Sequence, residues 1–417
     1  MLRPPLSLAR RWPLVVFALL LPLWCIGTLY RGSWTPDEPR EADIVWRMAH
    51  QDDRVLAEFA GTPFLEKPPL SYWVAAGSNA VFGDGIRASR VPNLLYTAIA
   101  TLAIGALAFA MAGTEAALLA SLIAGSTLVM LRVSIWLAPD ACLIAGCTVA
   151  LLGAYLGYRA KPGIAKLSAY TLMHAAAAVG FMAKSAPGWI VPALALLTLI
   201  AWERRWSELR RPELYAGVLL QALIIAPWLV SVWREPDGLH ALRVLFVDNL
   251  AGRFGTVTSA DGTAYSAGHQ NWPGRYLLEL PMSLLPWTFL VVAALRSAWK
   301  KFRSGTLNTE WRFALAASLP FIVLLSIAST ARDIYAAPAV PALSLLIALW
   351  ALELEPSPGK LDRFMLKATR AVVIVIAAIL AISTVVIAAA NGDYLIDLVA
   401  MPTLTVLFAA ICVVKAR

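Results

Sequence analysis

Apolar runs, each long enough to cross a bilayer as a helix, recur along the chain from residue 13 to residue 414, separated by shorter polar segments. A run of about 18 residues or more spans a hydrocarbon core of roughly 30 Å at a rise of about 1.5 Å per residue. Hydropathy and length together place about twelve spans. They fall near 13–30, 90–110, 115–134, 139–158, 168–183, 186–202, 213–233, 276–296, 312–329, 334–352, 369–390 and 397–414. The pair 168–183 and 186–202 is short and broken around Lys184 and Pro187. The expected fold class is all-α: a polytopic membrane protein with 1–417 as one transmembrane domain and no soluble C-terminal domain.

Two polar segments are too long for simple turns between spans. The first covers 31–89 and is rich in Asp and Glu; the second covers 234–275. Loops of this length in a compact protein usually carry function. Their prolines and aromatics suggest short helices lying along the membrane surface, with Trp34, Trp46, Trp73 and Trp272 as interfacial anchors.

Composition agrees with the pattern: 59% of the 417 residues are hydrophobic and 15% charged. A soluble domain is nearer 45–50% apolar and about 25% charged. The net charge of +9 comes from bases in short segments between spans, so it reads as a topology signal and not as a nucleic-acid surface. Arginines and lysines gather at 10–12, 159–166, 204–211, 296–312 and 360–370. The positive-inside rule therefore puts both termini in the cytoplasm and both long polar segments on the periplasmic face. Arg3, Arg10 and Arg11 precede an apolar run that holds Trp24 and lacks a small-x-small site, so an uncleaved first span is expected. Cys25, Cys142, Cys147 and Cys412 all lie in apolar runs without metal or redox spacing, and no disulfide is expected.

Candidate chemistry gathers in the first polar segment. It opens on Asp37, Glu38, Arg40 and Glu41, and continues to Glu66 and Lys67, which precede Pro68 and Pro69. The two prolines stiffen the backbone there and would hold Glu66 and Lys67 at a defined height over the bilayer. Asp37-Glu38-x-Arg40, followed by Gly61-x-Pro63-Phe64-x-Glu66-Lys67-Pro68-Pro69, resembles the first periplasmic loop of the lipid A aminoarabinose transferases. These are related to the protein O-mannosyltransferases within the membrane glycosyltransferases of the C-type fold. The likeness continues through Arg87, Arg90 and Pro92, then Lys184-Ser185-x-Pro187, then Asn249-x-x-x-Arg253 and His269. It ends with Pro286-Trp287 and Arg332-Asp333-x-Tyr335-x-x-Pro338-x-x-Pro341. The chain departs from the family's pattern at Phe64, where an aromatic hydroxyl is common, and at Ser185, where the family has a Lys-Gly turn.

The resemblance implies an inverting glycosyltransferase that takes a sugar from a polyprenyl-phosphate donor of undecaprenyl type, in the inner membrane. The acceptor would be a lipid, glycan or protein on the periplasmic side. Cations in a dry cleft would stabilise the leaving phosphate: Arg40 as a bidentate fork and Lys67 as a point charge, with Lys184 and Arg332 as further candidates. The resemblance adds Tyr335 as a hydrogen-bond donor to the same phosphate. Asp37 is read as the base or acceptor-orienting group and Glu66 as the alternative, with a salt bridge to Lys67 or Arg40 as the competing role for Glu66. Asp140 is read as support, pairing with Arg40 or Lys67.

No metal or other cofactor is required by this reading, although Glu66 and His269 could meet around a divalent ion. No nucleotide-binding fingerprint is present in the sequence. A secondary transporter would carry inverted repeats and mid-membrane charges. A non-catalytic polyprenyl-phosphate binder or flippase would need the cations but not the carboxylates. No partner-binding coiled coil is visible, so a monomer is the default.

Overall fold

The computed structural model describes residues 6–29, 32–33, 37–51, 54–255, 257–258, 264–265, 271–272, 274–330 and 332–391. Helix α1 (Leu6–Arg10) leads into α2 (Trp12–Leu29). The first polar segment folds into α3 (Asp37–His50), a two-residue antiparallel pair of β1 (Glu58–Phe59) and β2 (Thr62–Pro63), and α4 (Leu70–Phe82). The apolar body follows with α5 (Ile86–Ser126), α6 (Leu128–Ile135), α7 (Asp140–Arg159), α8 (Ile164–Lys184), α9 (Pro187–Trp202) and α10 (Pro212–Arg234). The second polar segment holds α11 (Gly238–Leu242), a π-helical turn at Arg243–Asp248, α12 (Asn249–Ala251), and β3 (Val257–Thr258) paired with β4 (Ala264–Tyr265). Then come α13 (Arg275–Ser283), α14 (Thr288–Arg303), α15 (Thr309–Ile327), a 3₁₀ turn (Asp333–Ala339) running into α16 (Val340–Leu352), and α17 (Lys360–Asn391).

Among the described residues, seven helices are long and apolar enough to cross a membrane. The expected spans at 90–110 and 115–134 are the two arms of α5. The chain leaves helical geometry at Ala112 and Gly113, where Gly113 takes φ +82°. The arms then pack side by side, with Ser121 Oγ donating to the Thr101 carbonyl at 3.1 Å. The second arm ends at Ser126, earlier than expected. The expected span at 276–296 needs correction, because α13 and α14 meet at a bend of 118°. Pro281 and Pro286 each remove a backbone donor there. The break is held by Leu128 N to Leu285 O at 2.8 Å and by Trp287 Nε1 to Ser126 Oγ at 3.0 Å. Helix α9, at 16 residues, reaches only about 24 Å along its axis. The span expected at 397–414 lies outside the described residues.

Small residues set a close contact between α7 and α8. On α7, Gly146 and Gly153 stand one heptad apart and face the backbone of α8. A Cβ on Gly153 would lie 2.6 Å from Met173 N, and one on Gly146 would lie 2.7 Å from Gly180 N. Lipid tails are as apolar as the helices, so close backbone approach is what drives such packing in a membrane. Replacing Gly153 with leucine should force α7 and α8 apart and destabilise the protein by about 1–3 kcal/mol or more. An unchanged melting curve in detergent would contradict this packing.

Short helices form in both polar segments: α3 and α4 in the first, α11 and α12 in the second. Trp46 and Trp272 are exposed. Trp73 is not a free anchor: its Nε1 donates to the Arg54 carbonyl at 2.8 Å, and its ring packs beneath the loop. Trp34 lies outside the described residues.

Candidate functional site

Helix α3 begins at Asp37, and its first turn divides its labour by helical spacing. Glu38 points inward, while Asp37, Arg40 and Glu41 look the other way, into a cavity of about 430 Å³. Pro39 sits in this first turn, where no intrahelical donor is lost. The inward carboxylate is clamped by Arg90 of α5, with Nε to Oε1 at 3.0 Å and Nη2 to Oε2 at 2.8 Å. Glu38 Oε1 also accepts from Leu137 N at 2.8 Å, which fixes α3 against the segment between α6 and α7. That segment delivers Trp136 and Asp140 to the cavity.

All eight residues nominated from the sequence line this one cavity: Asp37, Arg40, Glu66, Lys67, Asp140, Lys184, Arg332 and Tyr335. They come from the first polar segment and from helix ends at a single end of the bundle, where α7 starts and α8 and α15 finish. Its lining joins charged side chains to apolar ones that include Leu143, Ile190, Leu250, Phe254, Phe321 and Leu325. Such a mixed lining suits an amphiphile with an anionic head and a hydrocarbon chain.

The pairings differ from those expected. Lys67 does not pair with Glu66; its Nζ donates to Glu41 at 2.7 Å. Glu66 is exposed at the cavity rim, and no hydrogen bond or ion pair of its side chain occurs among the described residues. Asp140 pairs with neither Arg40 nor Lys67; its Oδ1 accepts from Lys184 Nζ at 2.6 Å. Asp37 is held by Arg332 Nη2 at 2.7 Å and lies 3.5 Å from Arg40 Nη2. Burial by itself would raise the Asp37 carboxyl, but Arg332, Arg40 and Lys67 outweigh it and hold the group below the ordinary carboxylate range. Glu41 is more deeply buried still. Lys67, the Tyr72 hydroxyl and Arg40 outweigh that burial in the same way and keep its pKa lowered.

Two residues without a role in the sequence reading belong to the site. Arg253 Nη1 donates to the Tyr335 hydroxyl at 2.8 Å, and its guanidinium lies 5.1 Å from the Tyr335 ring centre. Lys184 Nζ lies 5.1 Å from that same ring. Arg253 was legible only as the end of the Asn249-x-x-x-Arg253 landmark. Glu41 could have been found from the i, i+3, i+4 spacing of Asp37, Arg40 and Glu41 on one helix face. The second polar segment is tied to the first by Asn249 Nδ2, which donates to the Leu65 carbonyl at 2.7 Å.

The departure at Ser185 also acquires a physical meaning. Ser185 takes φ +63°, the left-handed region that glycine occupies without penalty. The turn expected of a Lys-Gly sequence is thus kept with a serine. His269 lies outside the described residues, and so does any pairing it makes with Glu66. Among the described residues, no group of three or more His, Cys, Asp or Glu is placed to hold a metal ion. Cys25, Cys142 and Cys147 are free thiols, and Cys412 lies outside the described residues.

Comparison with known proteins agrees with this architecture. Residues 66–231 match the dolichyl-phosphate-mannose-protein mannosyltransferase family. The undecaprenyl phosphate-alpha-4-amino-4-deoxy-L-arabinose arabinosyl transferase of Aeromonas salmonicida is 30% identical over 349 residues, covering 82% of this chain and 60% of the relative. The enzyme of the same name from Edwardsiella ictaluri is 31% identical over 348 residues, with the same coverage of 82% and 60%. The chain thus spans about 60% of the length of these curated relatives. In three dimensions it is similar to ArnT from Cupriavidus metallidurans bound to undecaprenyl phosphate. The TM-score is 0.74 at 21% identity, covering 96% of this chain and 69% of that one. The oligosaccharyltransferase of Archaeoglobus fulgidus matches with a TM-score of 0.51 at 12% identity, covering 99% and 55%. The chain is a multipass membrane protein with the fold of the C-type glycosyltransferases, and it resembles their aminoarabinose- and mannose-transferring members in sequence.

Proposed function

We propose that the chain is an inverting glycosyltransferase that moves a sugar from a polyprenyl-phosphate donor to an acceptor at the periplasmic face of the bacterial inner membrane. The observation that carries this reading is one cavity lined by both charged and apolar side chains. Among the described residues, five cations line it (Arg40, Lys67, Lys184, Arg253 and Arg332) alongside four carboxylates (Asp37, Glu41, Glu66 and Asp140). Clustered cations of this kind suit the negative charge of a sugar phosphodiester. The names of the relatives, and the undecaprenyl phosphate bound to the Cupriavidus protein, support a donor of this kind. The Lys and Arg distribution supports the periplasmic placement and cytoplasmic termini.

In the reaction, the bond between the anomeric carbon and the phosphate oxygen breaks, and the lipid phosphate leaves with a second negative charge. Positioned cations in a cavity sheltered from water stabilise that charge as it develops. Lys67 and Arg253 take this role. The Tyr335 hydroxyl already accepts from Arg253, which leaves its own proton free to be donated to a phosphate oxygen. Asp140 anchors Lys184 beside the Tyr335 ring. The acceptor attacks from the face opposite the leaving phosphate, next to Asp37. Held by two arginines, Asp37 stays ionised but is a weak base. It therefore suits orienting an acceptor that needs little deprotonation, such as a phosphate oxygen, better than stripping a proton from an alcohol.

The test uses the purified protein in lipid nanodiscs with undecaprenyl-phosphate sugars and membrane lipid acceptors, following release of undecaprenyl phosphate. Wild type should consume the donor, and Asp37→Asn should be slower by about 10²-fold, the loss expected when an acceptor is misplaced by roughly 1 Å. Wild-type protein that leaves every such donor intact would overturn the reading in favour of a carrier-lipid binder.

A further inference from the structure

Glu41 occupies a position that the reaction described above does not use. Its side chain is only 2% exposed, yet it is surrounded by donors. Oε1 accepts from Lys67 Nζ at 2.7 Å and from Arg40 Nη2 at 3.1 Å, and Oε2 accepts from the Tyr72 hydroxyl at 2.7 Å. Three separate pieces of chain meet at this one carboxylate: α3, the loop carrying Lys67, and α4. Phe64 gives the two cations nothing but its ring, with Arg40 and Lys67 at 5.4 and 5.6 Å from its centre. Without the carboxylate, the half-buried Lys67 and Arg40 would lose their shared anion and repel each other.

We infer that Glu41 is a positioning residue, which aims Lys67 and Arg40 at the donor phosphate and sets how much positive charge they present to it. The inference rests on the glycosyltransferase reading and adds a division of labour to it. The carboxylate does not touch the reacting atoms; it acts through Lys67. Its negative charge offsets one of the two cations, so the pair attracts a phosphodiester without holding the more highly charged lipid phosphate product too tightly. Tyr72, donating to the other oxygen, keeps the carboxylate turned towards Lys67.

A charge-setting role differs measurably from a structural one. In Glu41→Gln the side chain keeps its shape and loses its charge. Undecaprenyl phosphate should then bind about tenfold more tightly, the order expected for one added unit charge beside a partly buried phosphate. KM for the donor should fall while kcat falls about tenfold, because Lys67 is misaimed and the product leaves slowly. Glu41→Asp keeps the charge on a shorter arm, so its affinity for undecaprenyl phosphate should match wild type while kcat is reduced. It also decides the matter if the glutamine variant fails to fold. Binding of undecaprenyl phosphate and turnover are measured on the same nanodisc samples. If both variants bind and turn over like wild type, or if Glu41→Asp shows the tighter binding expected only of Glu41→Gln, the inference about Glu41 is overturned and the enzyme reading stands. A wild-type protein that neither binds undecaprenyl phosphate nor consumes donor overturns the enzyme reading itself.

Discussion

Replacing Lys67 with alanine is expected to lower kcat/KM for a polyprenyl-phosphate sugar by about 10²–10³-fold, the usual loss when one positioned donor to a developing negative charge is removed. Two effects add. The leaving phosphate loses a cation on the cavity wall, and Glu41 loses its 2.7 Å partner. The buried carboxylate left behind then repels the donor's phosphate across the same cavity. Arginine at this position should restore only part of the rate, because its planar fork cannot replace a compact ammonium between Glu41 and the Phe64 ring. Initial rates of undecaprenyl phosphate release measure both variants. A Lys67→Ala protein within tenfold of wild type would remove Lys67 from the reaction and shift the phosphate role to Arg253 and Lys184.

The largest effect on stability is expected at Arg90. Arg90 and Glu38 are both 0% exposed and joined through two hydrogen bonds. Arg90 also donates to the Gly32 carbonyl at 2.9 Å. Breaking a buried pair by removing one partner costs about 3–5 kcal/mol, because the other charge is left uncompensated. Arg90→Met should therefore lower the melting temperature sharply and abolish turnover, since Glu38 is what holds α3 against the segment leading to Asp140. Glu38→Gln combined with Arg90→Met removes both charges and should recover part of the loss. If the double variant melts no higher than Arg90→Met alone, the two side chains are not coupled as the geometry requires.

The two predictions differ in how far the sequence alone could reach them. Lys67 was legible because a Glu-Lys pair set before two prolines is an unusual thing to place at a membrane surface. Arg90 was visible only as a landmark in an approach to a span, with nothing to say that it meets Glu38, 52 positions away. The same holds for Arg253, which needs the second polar segment folded against the chain just after α15 before it can reach Tyr335.

The eight cavity residues were nominated with the help of the family resemblance, which alone supplied Tyr335. The sequence by itself determined the membrane class, the order of most spans and the two long polar segments. These follow from additive properties. A run of apolar residues enters lipid whatever its neighbours do, and charges excluded from lipid collect at helix ends. Tertiary structure alone decided the partners. It gave Lys67 to Glu41 and not to Glu66, gave Asp140 to Lys184, and bent the chain by 118° between α13 and α14. Ion pairing depends on which helix faces meet and at what height. Two charges 26 or 44 positions apart acquire that relation only when the helices carrying them pack.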